Sequence, residues 1–122
     1  GRSKYMIKSG GENIYPAEIE RVLLSDNRIA DAAIVRKSDP HWGEIVVVFV
    51  ARNTMDLSEG DIEEVCRAKL PSYKRPREVH FISMEEFPRS DSGKIIREEL
   101  ENRLGFTGAE RPQSFCEGED IG

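Results

Sequence analysis

The chain has 122 residues, 38% hydrophobic and 34% charged, which is enough for one domain with a real core and too short for two. A net charge of −5 argues against wholesale binding to nucleic acid, and no apolar run of membrane-spanning length and no signal-peptide pattern is present. Cys66 and Cys116 are far apart, and with only His41 and His80 besides, no metal-ligand spacing exists, so no metal is expected. The sequence opens with Gly1-Arg2 rather than methionine, already inside what reads as a motif. This predicts a piece of a larger protein whose other part holds much of any active site.

In chain order, Met6-Ile7-Lys8 and Glu12-Asn13-Ile14 flank Ser9-Gly10-Gly11 and predict a small hairpin. Pro16 suits the first turn of a helix, Glu18 and Glu20 suit that end of its dipole, and Ile19, Val22 and Leu23 form a core-facing stripe. Residues 30–37 and 44–51 are predicted strands. The second is apolar on both faces, as for a central strand covered on two sides. The loop 38–43 between them carries Trp42, the only tryptophan. Ser58 and Asp61 have the spacing of a capping box, Ile62, Val65, Cys66 and Leu70 line one face of the helix that follows, and Pro71 ends it. Cys66 on that apolar face reads as a buried thiol rather than half of a disulfide.

A basic stretch between prolines, residues 72–77, precedes a third strand at 79–82. A connection at 84–89 leads to Arg89-Ser90-Asp91-Ser92-Gly93-Lys94-Ile95-Ile96-Arg97, a loop of small residues that presents one lysine, after which Ile96, Leu100 and Leu104 keep helical spacing. From about residue 107 the periodicity stops, and 105–122 is expected to be a disordered or loosely attached acidic tail. The elements predict an α+β fold, a small sheet of about three strands flanked by helices and preceded by a short two-stranded hairpin.

Two readings stay open for each feature taken singly. Lys94 can give a point charge to a phosphate or carboxylate, or be a solvated lysine after a turn. Gly10 and Gly11 permit close approach of a narrow ligand, or simply make a turn. Trp42, Tyr73, Lys74, Arg75 and Arg77 can stack on a base and take phosphates, or form a solvated loop with a tryptophan at the edge of the core. His41 and His80 read as structural. Asp39, Glu12 and Glu44 have no partner visible in sequence, and no Ser/His/Asp or Cys/His arrangement can be argued.

Taken together, residues 1–20 and 88–97 resemble the hinge-and-hairpin motif and the terminal catalytic-lysine motif of the C-terminal domain of the adenylate-forming enzymes: acyl- and aryl-CoA synthetases, nonribosomal peptide adenylation domains and luciferase. The resemblance spans residues 1–104. It implies an ATP-dependent acid:CoA ligase that converts a carboxylate and ATP to an acyl-adenylate and pyrophosphate. The small domain then turns, and the acyl group passes to CoA to give acyl-CoA and AMP.

By this resemblance Lys94 is the catalytic lysine and Lys4 the hinge. Lys8 and Asn13 contact the adenylate in the thioester-forming state. Gly10, Gly11 and Glu12 line the pantetheine tunnel, and Trp42, Tyr73, Arg75 and Arg77 grip the nucleotide of CoA. The implied partners are the protein's own N-terminal adenylation domain, ATP with Mg²⁺ held mainly by that domain, a carboxylic acid and CoA, in the cytoplasm. The Tyr-Lys-Arg-Pro of residues 73–76 resembles the CoA-ligase form of this segment rather than the carrier-protein form. The alternatives are an adenylation domain loading a carrier-protein pantetheine, and a non-catalytic α+β interaction module. Tyr5, where the family often has Asp, and Glu98, where many CoA ligases have a second arginine, depart from the pattern. The loop around Lys94 is expected to be exposed and mobile.

Overall fold

Residues 5–104 are described in this computed structural model; Lys4, Cys116 and the tail 105–122 lie outside them. The first two strands, β1 (Ile7–Ser9) and β2 (Glu12–Ile14), close through Gly10 and Gly11, both at positive φ (58° and 87°). That pair of angles is what a two-residue turn matched to strand twist requires. Helix α1 (Pro16–Leu24) begins on its proline and buries Ile19 and Leu23. Strands β3 (Ile29–Asp39) and β4 (Gly43–Arg52) pair antiparallel along their whole length, with one irregularity between Ile29 and Asp31.

Helix α2 (Glu59–Lys69) starts at the predicted capping box. Ser58 Oγ accepts from the Asp61 N–H at 3.3 Å, and the Asp61 carboxylate accepts from the Ser58 N–H at 3.0 Å. A 3₁₀ turn (Ser72–Lys74) leads to β5 (Glu78–Phe81), a second 3₁₀ turn (Met84–Glu86) follows, and α3 (Arg97–Arg103) completes the described chain.

The α+β architecture is the expected one, with the hairpin joined to the sheet rather than standing apart. The order is β2-β1-β4-β3, and β5 also pairs with β4. β3 occupies one edge of β4, so β1 (Ser9 opposite Gly43) and β5 (from Glu78 opposite Val47) share the other. β5 runs parallel to β4, which requires a long crossover, and α2 supplies it. The doubly apolar strand is covered on both faces. Val46, Val48 and Val50 pack with Ile19 and Leu23 of α1 and Ile62 and Cys66 of α2, while Val47, Phe49 and Ala51 pack with Phe87 and Leu100. No helix among the described residues is long and apolar enough to cross a membrane.

On the second face Lys37 reaches across β4 to Glu78, Nζ to Oε2 at 2.8 Å, and His80 Nε2 lies 3.2 Å from the other oxygen. The contacts from His80 and Lys37 hold the Glu78 carboxyl down from 4.5 to about 2. A depressed folded-state pKa gives stability that is complete above the unfolded value and lost as pH falls through the folded one. Glu78→Gln therefore lowers stability at pH 7, and the gap to the wild type narrows between about 4.5 and about 2. Urea melts across this range check it. A gap independent of pH contradicts the assignment.

Candidate functional site

Lys94 is carried on a tight, self-bonded hairpin. The Ser90 N–H donates to the Lys94 carbonyl and the Gly93 N–H to the Ser90 carbonyl, both at 2.8 Å, and Arg89 bridges Ile95. Gly93 has φ 89°, a conformation that favours glycine. The Lys94 side chain is exposed, and no carboxylate among the described residues lies within ion-pair distance of it. The exposure matches the expectation, but the base of the hairpin is tied down. Arg89 donates to the Asp31 carboxylate and, at 3.0 Å, to the Gly93 carbonyl. Arg97 Nη2 pairs with Glu20 at 2.6 Å, and its Nε donates to the Ile34 carbonyl at 3.1 Å. The arrangement presents a bare ammonium on a fixed mount.

A second constellation forms at the Gly10–Gly11 turn. The Gly10 N–H donates to the Trp42 carbonyl at 2.9 Å, and a Cβ on Gly10 would sit 2.9 Å from Trp42 Cε3. The Arg77 guanidinium lies over the Trp42 ring, 4.3 Å from its centroid, and His41 meets the ring edge-on. Asp39 Oδ2 accepts from the N–H groups of His41 (3.0 Å) and Trp42 (2.8 Å), fixing the turn that carries the indole. Trp42 stays 38% exposed. Gly11 has nothing within 4 Å of its Cβ position. In the hairpin register Lys8 stands opposite Asn13, so both exposed side chains leave the same face, and the Lys8 N–H is held by Glu44 at 2.9 Å.

The structure brings Gly10, Trp42 and Arg77 together, with Gly11 and exposed Glu12 beside them in the turn and β2. Tyr73 and Arg75 face elsewhere. Arg75 Nε donates to the Leu70 carbonyl at 3.0 Å, at the end of α2, and lines a small cleft with Ile62, Cys66, Pro76 and Val79. Tyr73 is half exposed beside Lys74, whose Nζ contacts both oxygens of Glu18 at 2.8 Å. Cys66 is fully buried, and burial pushes its thiol up to about 11, which makes it an inert core residue. His80 stacks on Phe49 and serves Glu78, a structural role.

The two constellations sit at opposite ends and opposite edges of the sheet. The lysine hairpin is anchored at Asp31, whose cross-strand partner is Ala51, whereas the glycine turn abuts Gly43 at the start of β4. The strand from Gly43 to Ala51 spans roughly 26 Å at ~3.3 Å per residue.

Sequence reasoning missed Glu20, Asp31, Tyr5 and Glu101. Buried Glu101 accepts from the Tyr5 hydroxyl and, at 3.1 Å, from Arg36 Nε. Burial first, then the Glu101 bond, pushes the Tyr5 hydroxyl well above its ordinary range. Tyr5, the departure from the family pattern, is therefore built into the interior of the network. For Asp39, the Asp-Pro dipeptide was the available signal.

Residues 18–94 match the family described as AMP-binding enzyme C-terminal domain. Among curated relatives, a 2-succinylbenzoate–CoA ligase of Bacillus cereus is 46% identical over 99 residues, 81% of this chain and 20% of that protein. The Lactococcus lactis protein of the same name is 44% identical over 99 residues, covering 81% of this chain and 21% of its own length. Among solved structures, a Mycobacterium tuberculosis fatty acyl CoA synthetase aligns with TM-score 0.76 at 39% identity, over 84% of this chain and 20% of its own. An o-succinylbenzoate CoA synthetase variant from Bacillus subtilis, bound with a product analogue, aligns with TM-score 0.74 at 36% identity, over 81% of this chain and 20% of its own. The chain thus spans about a fifth of the length of the relatives it matches.

Proposed function

Because the chain belongs to the family of AMP-binding enzyme C-terminal domains, we propose that it is the mobile C-terminal domain of an ATP-dependent acid:CoA ligase. In this reading it works with a large N-terminal domain that holds ATP, Mg²⁺ and the acid. In the first half-reaction the carboxylate oxygen attacks the α-phosphorus, and pyrophosphate leaves. The Lys94 ammonium, reaching both the carboxylate and the α-phosphate, offsets the negative charge that gathers there. In the second, the CoA thiol attacks the acyl carbon and AMP leaves.

The observation that carries the reading is the separation of the two constellations. A domain with an exposed lysine at one end of its sheet and an aromatic–glycine corner at the other, roughly 26 Å away along β4, can serve two steps at one centre by turning. Rotation about Lys4 fits this need. After it, Gly11 and Glu12 border the pantetheine path, Gly10 seats Trp42, and Lys8 and Asn13 face the adenylate. Trp42 and Arg77 meet the nucleotide end of CoA, with Tyr73 and Arg75 on the segment that leads to them.

The test is a pair of half-reaction assays on the protein joined to its large domain. Acid-dependent ATP–pyrophosphate exchange and formation of a CoA thioester are expected. Loading of a carrier-protein pantetheine with no CoA thioester would overturn the acceptor, and the absence of both activities would overturn the class. Arg77→Ala raises the apparent KM for CoA about tenfold or more, the size of a lost charge-assisted contact of about 1.5–3 kcal/mol, and leaves the exchange reaction unchanged. An unaltered KM removes Arg77 from the CoA site.

A further inference from the structure

Among the described residues the outer edge of β3 is closed by side chains instead of a further strand, and those side chains also hold the Lys94 hairpin. Within that set β3 pairs only with β4, so alternate backbone groups on its other edge need partners. The Ala32 N–H donates to Asp31 Oδ1 at 2.8 Å, the Ile34 N–H to Glu20 Oε2 at 2.9 Å, and the Arg36 N–H to the Tyr5 hydroxyl oxygen at 2.9 Å. Each of these groups reaches on to the segment 89–101. Asp31 accepts from Arg89, Glu20 from Arg97, and the Tyr5 hydroxyl donates to Glu101. Arg97 completes the match at Ile34 by donating Nε to its carbonyl at 3.1 Å. Its guanidinium also lies 5.5 Å from the centre of the Tyr5 ring.

Arg89 and Arg97 are the two ends of the lysine motif. Their anchors determine where the hairpin leaves the sheet and in which direction it points. The bonds between Ser90 and Lys94 then pass that placement to the lysine backbone. Glu20 and Asp31 expose only 15% and 16% of their side chains, so these pairs are less screened by salt than open surface pairs.

Resting on the adenylation role of Lys94, we propose that Glu20 and Asp31 are positioning residues, their carboxylates aligning Lys94 through Arg97 and Arg89 for the first half-reaction. Neither touches Lys94 itself. Glu20→Gln retains an oxygen for the Ile34 N–H but removes the charge that holds Arg97. Asp31→Asn does the same for Arg89. A small displacement of a group that must sit between two reacting centres costs rate out of proportion to its cost in stability.

The experiment uses the full-length ligase with Glu20→Gln, Asp31→Asn and Lys94→Ala in parallel. It measures turnover and KM for ATP in acid-dependent pyrophosphate exchange, and CoA thioester formation from supplied acyl-adenylate. Each carboxylate variant is expected to lower exchange turnover about tenfold, with the KM for ATP unchanged and thioester formation within about twofold of wild type. Full exchange in both variants overturns the proposal, as does an equal loss in the two half-reactions, which is the mark of general damage to the domain. If Glu20→Gln does not accumulate as folded protein, Asp31→Asn decides the matter by the same criteria. Failure of the underlying reading looks different: Lys94→Ala would itself leave exchange intact.

Discussion

On the proposed reading, Lys94→Ala in the full-length protein is expected to lower acid-dependent ATP–pyrophosphate exchange by about a hundred- to a thousandfold, the usual loss when one preorganised group that stabilises developing charge is removed. Thioester formation from a supplied acyl-adenylate stays within a few fold of wild type. The size follows from how the lysine is presented. Its ammonium is exposed and unpaired with any carboxylate among the described residues, so none of these competes for its charge. For the same reason the substitution leaves the fold alone, with stability changed by no more than about 0.5 kcal/mol, as for surface positions without special contacts. Thermal melts check the second half of the statement, and the two half-reaction assays check the first. An equal loss in both assays contradicts a lysine that serves only one of the two orientations. Lys94→Arg is a sharper variant, because it keeps the charge but replaces a compact ammonium with a planar fork. It recovers only part of the exchange rate if placement matters as well as charge.

The anchors that place this lysine also show what a sequence carries and what it leaves out. Local chemistry was legible at several places where the partners are near in the chain. The Ser58–Asp61 capping box, the proline start of α1 and the two-glycine turn all formed where they were read. The doubly apolar run in β4 correctly implied cover on both faces, because the alternation of a strand forces Val46, Val48 and Val50 to one side and Val47, Phe49 and Ala51 to the other.

Contacts distant in sequence leave no comparable trace. Glu20 and Arg97 are 77 positions apart, and Asp31 and Arg89 are 58 apart. Each looks like an ordinary surface charge until β3 offers an open edge. The basic stretch shows the same limit at short range. Arg75 and Arg77 read as equivalent in sequence, yet the Leu70 carbonyl left over at the end of α2 takes Arg75, while the start of the β4–β5 ladder, with the Arg77 N–H on the Val46 carbonyl, carries Arg77 to Trp42.

At the opposite end of the sheet, Gly10→Ala and Gly11→Ala have unlike effects although the two residues are adjacent. A methyl group on Gly10 arrives 2.9 Å from Trp42 Cε3 and 3.1 Å from Cζ3, inside the contact distance of carbon atoms. The indole has little freedom to withdraw. Its backbone is held by Asp39 and by the Gly10 N–H, and its face by Arg77. Positive φ adds about 1–2 kcal/mol for a residue with a Cβ, and overpacking about 1–3 kcal/mol more, so Gly10→Ala destabilises the domain by about 2–5 kcal/mol. Gly11→Ala meets open space and bears only the conformational term, about 1–2 kcal/mol. Trp42, the only tryptophan in the chain, reports the difference directly in the isolated domain. Gly10→Ala shifts its emission and lowers the urea midpoint strongly, whereas Gly11→Ala leaves the emission of the folded state as in wild type. On the proposed reading, the full-length protein is expected to show a different contrast. Gly10→Ala raises the KM for CoA by moving the indole, and Gly11→Ala lowers thioester turnover by narrowing the proposed pantetheine path, with exchange preserved in both. Equal urea midpoints and emission spectra for Gly10→Ala and wild type would show that the ring yields freely, and that the corner is too soft to orient a ligand.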